Sequence, residues 1–124
     1  MSHHSQSELI EICKIKLIET KAELLNRIKD AKQQYFEHDR GTDEGDQTMA
    51  ILAEKEFLST QDRLRKQLLE IEMALARIET GKYGICEETD EPIEEKRLLA
   101  MPWTRLSIEG AEIQEAMEKR FVNN

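Results

Sequence analysis

Two cysteines among 124 residues, Cys13 and Cys86, show no disulfide spacing. That excludes a cystine-stapled scaffold and points to a reducing interior. No stretch approaches the ~20 apolar residues of a membrane span. The start, Met-Ser-His-His-Ser-Gln-Ser-Glu, has neither a basic segment nor an apolar core, so the expectation is a cytoplasmic protein with no membrane partner. There are three histidines and no H-E-x-x-H pair, no nucleophile-histidine-acid pattern and no phosphate-cradling glycine loop, which argues against an enzyme. A basic stripe is missing too. With 18 Lys and Arg against 26 Asp and Glu, the formal net charge is -8, so direct, sequence-specific nucleic-acid binding is not expected. Internal repeats and low-complexity linkers are also absent.

What remains is helical pattern. At 39% hydrophobic and 35% charged residues the chain is of single-domain size but charge-rich, the balance of an elongated helical hairpin. From Ser5 to Phe36 the sequence opens with a capping-box pattern, Ser5-Gln6-Ser7-Glu8. Ile10, Leu17, Leu24 and Ala31 then recur every seven residues, with Ile28 and Tyr35 between them. A matching seam runs from Gln47 to Thr80 through Phe57, Leu64, Ile71 and Ile78, with Leu68 and Leu75 between. Two such seams predict a mainly α fold led by an antiparallel coiled-coil hairpin. Its helices of ~30 residues would be about 45 Å long. The expected organisation is a hairpin over 1–80 with its tip at 38–46, a small module over 81–110 and a C-terminal helix over 111–124. Gly81 suits a C′ position that ends the second helix.

Two acidic clusters stand out. Asp43, Glu44 and Asp46 lie at the start of the second helix, where capping and the positive end of the helix dipole favour acids. Glu87, Glu88, Asp90, Glu91, Glu94 and Glu95 place six acids within nine residues. Without a looped oxygen-ligand pattern these read as a solvated face rather than a cation site.

The most specific stretch is Gly81-Lys82-Tyr83-Gly84-Ile85-Cys86-Glu87-Glu88-Thr89, followed by Arg97-Leu98-Leu99-Ala100-Met101-Pro102 and Ser107-Ile108-Glu109-Gly110. It resembles the C-terminal zinc finger of the DksA/TraR family, bacterial factors that bind RNA polymerase. That family's pattern runs G-x-Y-G-x-C-x-x-C, R-L-x-A-x-P, C-x-x-C. In this chain the four ligand positions are Cys86, Thr89, Ser107 and Gly110, so three of four thiolates are missing. Structural zinc needs four thiolate or imidazole donors. Two hydroxyls and a glycine do not supply them, and the expectation is a degenerate, metal-free module with no cofactor. Metal binding would otherwise contribute on the order of 10 kcal/mol to such a unit, so apolar groups such as Tyr83, Ile93, Leu98 and the lone Trp103 must take over, together with Arg97 and Pro102 from the family pattern. Ser107 precedes a run with helical spacing through Ile113, Met117 and Phe121, which makes it a candidate N-cap. Cys86 reads as a small buried hydrophobe.

The resemblance also implies roles elsewhere. Family members carry D-x-x-D-x-A at a hairpin tip that enters the secondary channel of RNA polymerase and modulates initiation. Here the tip reads Asp43-Glu44-Gly45-Asp46-Gln47-Thr48, with both aspartates kept and the alanine replaced by Thr48. Arg63 falls where the family uses a basic residue against polymerase; an ordinary solvated coiled-coil arginine is the alternative. The family's guanosine tetraphosphate site uses cations where this chain has Glu70, Met101 and Ala111, so a weak or absent response is expected. The heptads alone fit two other functions: a coiled-coil adaptor, or a passive competitor that occupies the polymerase channel.

Overall fold

The computed structural model describes residues 4–40 and 47–122. Its elements are four helices: α1 (Gln6–Arg40), α2 (Gln47–Glu79), α3 (Glu95–Ala100) and α4 (Ile108–Val122). The fold is mainly α, a coiled-coil hairpin followed by a small module and a C-terminal helix. Among the described residues no helix is long and apolar enough to cross a membrane. Two compact units are distinguished, residues 20–69 and residues 1–19 with 70–124.

Ser5 starts α1. Its Oγ accepts the Glu8 N–H at 3.2 Å and its carbonyl accepts the Leu9 N–H at 2.9 Å, the bonds that the capping pattern predicts. The helix continues to Arg40, four residues beyond the expected end at Phe36. Nothing before Gly41 breaks it, since Glu37-His38-Asp39-Arg40 contains no glycine or proline. Positions 38–40, expected in the tip loop, are therefore helical.

Within residues 20–69, Leu24, Ile28 and Leu64 are buried along the seam. Burying such an aliphatic side chain contributes about 2 kcal/mol. Tyr35 stacks on Phe57 at 4.2 Å between ring centroids, and Phe36 meets both rings edge-on. A polar residue also sits in this seam. Gln61 is 7% exposed, and its Nε2 donates to the Ile28 carbonyl at 3.1 Å.

In the other unit, Cys13, Leu17, Ile71, Ala74, Tyr83, Ile93 and Leu98 are buried. The α2 terminus is a Schellman arrangement. The Lys82 N–H donates to the Arg77 carbonyl and the Gly81 N–H to that of Ile78, with Gly81 at φ 74°, where a Cβ would be strained. The expected boundary between module and last helix, at 110/111, falls inside α4, because the cap at Ser107 starts that helix at Ile108.

Candidate functional site

The module over 81–110 is organised around the Cys86 sulfur. A tight turn is built first: the Cys86 N–H donates to the Glu91 carbonyl at 2.8 Å, the Asp90 N–H donates back to the Cys86 carbonyl at 2.9 Å, and Asp90 takes φ 60°. Ile85 and Pro92 form an antiparallel bridge, and the Ile93 N–H reaches the Gly84 carbonyl. This knuckle brings Thr89 towards Cys86 from the same segment, and the start of α4 brings Ser107 and Gly110 from the other side.

Cys86 is 0% exposed. Burial pushes its thiol up, but hydrogen bonds from Ser107 and then Thr89, from side chains and backbone, outweigh it and lower the thiol to about 6. Ser107 is itself buried, and its Oγ accepts the Gly110 N–H at 3.0 Å, the N-cap bond of α4. The Thr89 Oγ1 accepts the Glu91 N–H at 3.3 Å. Gly110 packs so tightly that an added Cβ would overlap Cys86 Sγ and crowd Ser107 Oγ.

These residues do not fit a zinc ion. One thiol is available, both hydroxyls are engaged in hydrogen bonds, and the fourth position has no side chain and no space for one. Among the described residues no group of three or more His, Cys, Asp or Glu could hold a metal, and every buried side-chain polar atom there has a partner.

Contacts beyond the knuckle lock the module onto the helices. Tyr83 Oη donates to the Pro102 carbonyl at 2.7 Å, and burial, then Cys13, push its phenol well above the usual range. Arg97 Nε donates to the Leu106 carbonyl at 2.8 Å. Arg77 Nη2 donates to the Trp103 carbonyl at 3.1 Å. Burial lowers the pKa of this guanidinium, with Glu87 opposing and Arg105 reinforcing that shift. Cys13 Sγ donates to the Leu98 carbonyl and Lys16 Nζ to that of Leu99. Pro102 is buried and Trp103 half-buried.

The acidic run is exposed at Glu87, Glu88, Asp90, Glu91 and Glu94 and half-buried at Glu95, and three of its carboxylates also take partners in the fold. Glu87 pairs with Arg105 at 2.9 Å, Glu94 Oε1 accepts the first α4 amide, Ile108 N–H, at 3.1 Å, and Glu95 Oε1 accepts the His4 N–H at 3.2 Å. These partners come from distant parts of the chain, so local charge density gave no sign of them. Of the expected tip residues, Asp43 and Asp46 lie outside the described residues. Thr48 is exposed in the first turn of α2 and Arg63 is exposed midway along it. Glu70 is exposed, and Met101 and Ala111 are half-buried.

Comparison with known proteins places these features. Residues 81–120 match the family model described as the prokaryotic dksA/traR C4-type zinc finger. The chain is 36% identical over 118 residues to the RNA polymerase-binding transcription factor DksA of Caulobacter vibrioides, covering 89% of this chain and 78% of that protein. It is 38% identical over 109 residues to an uncharacterized protein of Aquifex aeolicus, covering 85% and 75% respectively. Among solved structures it is similar to transcription factor DksA2 from Pseudomonas aeruginosa, with a TM-score of 0.85 and 32% identity over 92% of this chain and 88% of that one.

Proposed function

Because this chain belongs to the DksA/TraR family, we propose that it is a transcription regulator that binds RNA polymerase through the secondary channel and modulates initiation through the acidic tip of its hairpin, without zinc. The observation that carries this reading is the extent of the similarity to the Caulobacter polymerase-binding factor, which takes in 89% of this chain and so reaches well beyond the zinc-finger segment.

On this reading the family acts on the enzyme it enters and is not itself an enzyme. Asp43 and Asp46 are the modulating pair at the tip. Thr48, with a branched hydroxyl in place of the family's alanine, alters the fit in a confined channel. Arg63 supports docking from an exposed position on α2. RNA polymerase is the partner, and DNA is contacted only through it. Glu70, Met101 and Ala111 offer no cation to a polyphosphate, so the response to guanosine tetraphosphate at the family site is weak or absent. Zinc independence is supported by the hydrogen-bonded Cys86 hub and by the packing of Gly110 against its sulfur.

The test is transcription by purified polymerase at a ribosomal-RNA-type promoter with the wild-type protein and Asp46→Asn, beside a direct polymerase-binding assay. An effect lost in the variant while binding persists supports an active tip. Binding of the wild type without any effect makes the protein a passive occupant, and no binding favours the coiled-coil adaptor.

A further inference from the structure

Helix α1 (Gln6–Arg40) has Leu17, Leu24 and Ile28 buried along one side. A second heptad stripe runs along another side of the same unbroken helix. Its middle is apolar. Ile15, Ile18, Ala22 and Leu25 follow one another in alternating steps of three and four residues, and all are exposed, the two isoleucines and the leucine at 50%, 51% and 47%. The same steps carried outward reach Glu11 and Glu8 at one end and Lys29 and Lys32 at the other, each of them exposed. The stripe thus reads acid, apolar, base over roughly 36 Å of helix.

That order is self-complementary in one orientation only. When two copies lie antiparallel, with the two-fold axis at the level of Thr20, Ile15 meets the other copy's Leu25 and Ile18 meets its Ala22. In the same register Glu11 meets the other copy's Lys29 and Glu8 meets its Lys32, and each pair forms twice by symmetry. Parallel copies would set acid on acid and base on base. Pairing with a second copy therefore accounts for the apolar middle and the opposed charged ends together.

We propose that this face of α1 is a homodimer surface, covered by α1 of a second copy in antiparallel register. It uses none of the tip residues and does not rest on polymerase binding. The pair is weak and reversible. Three half-exposed side chains and an alanine fall short of the ~800 Å² that each partner gives to a standard interface, and Glu19 and Lys21, beside the axis, each face their own copy. The net charge of -8 on each chain opposes association at low salt. At ~0.1 M salt the Debye length is about 10 Å, and the local pairs decide.

The experiment is sedimentation velocity on the full chain over a dilution series, with Ile18→Glu, Glu11→Lys and Lys29→Glu beside the wild type. All three positions are exposed, so the variants should keep the wild-type melting temperature. The wild type should shift from one copy to two as concentration rises, and Ile18→Glu should stay monomeric. Glu11→Lys and Lys29→Glu should each self-associate at least several-fold more weakly than the wild type, and an equimolar mixture of the two should regain the lost affinity. A wild type that is monomeric throughout, a dimer untouched by Ile18→Glu, or a mixture no tighter than its components would overturn the proposal. So would a monomeric wild type whose polymerase binding is lost in Ile18→Glu, a result that gives this face to polymerase instead.

Discussion

Gly110 and Cys86 are packed against each other so closely that a Cβ added to the glycine would overlap the cysteine's sulfur. Where a zinc ribbon would hold its metal between ligand side chains, this chain brings helix backbone onto a single thiol. The four positions still converge, with hydrogen bonds and close packing around the sulfur.

Gly110→Ala should therefore destabilise the module. Overpacking of a closed site costs about 1–3 kcal/mol, and a Cβ added to buried Gly110 would overlap Cys86 Sγ and stand 3.4 Å from Glu88 Cβ and Ser107 Oγ. Urea denaturation of wild type and variant measures the difference. A variant as stable as wild type would mean that the helix start can shift away from the sulfur.

Stability should depend on the ionisation of Cys86. Its thiol is lowered to about 6 in the fold, whereas an unfolded thiol titrates near pH ~8.5. A depressed acid favours the folded state where it is ionised. The contribution is fully present above the unfolded value, declines as pH falls and is lost below about 6. The stability gap between wild type and Cys86→Ala should thus widen from pH 6 to pH 9, measured by denaturation across that range. A gap independent of pH would rule out a stabilising thiolate.

Tyr83→Phe removes the buried bond to the Pro102 carbonyl and should cost about 1–2 kcal/mol by stranding that acceptor. The phenol is raised mainly by burial, so its contribution is present below pH ~10 and is lost at higher pH. Absorbance at alkaline pH should show Tyr83 ionising only as the protein unfolds.

Gln61→Ala should destabilise the hairpin by about 2 kcal/mol through lost packing in the seam. Gln61→Leu, which fills the volume without a polar group, should be close to neutral. The Gln61 amide bond to Ile28 fixes one pairing of α1 with α2, so the leucine variant should pair less specifically, read as broader amide signals along residues 20–69.

Features that rest on local chemistry were legible from the chain alone. The heptads located Leu17, Leu24, Leu64 and Ile71, all buried as the spacing requires. Ser5, Gly81 and Ser107 stood out as helix ends because capping depends on residues within four positions. Gln61 was missed because a polar side chain breaks the apolar pattern and is satisfied only by a carbonyl on the other helix. Cys13 was missed as core for a related reason, since its partners are Tyr83 and Leu98, far along the chain. The short helix α3, with no side-chain cap of its own, takes its place from Leu98 in the core and from Arg97 bound to Leu106. At the candidate site, the residue identities at 86, 89, 107 and 110 were the ground for expecting a metal-free module. The reuse of the remaining sulfur as a hydrogen-bond hub needed the three-dimensional arrangement.

The most direct test of a zinc-free polymerase factor is the affinity of the purified protein for RNA polymerase, measured after exhaustive chelation and again with zinc restored. The account predicts equal affinities and no zinc retained by the protein. Stoichiometric zinc in the purified protein, with binding that is lost on chelation and regained with the metal, would contradict it.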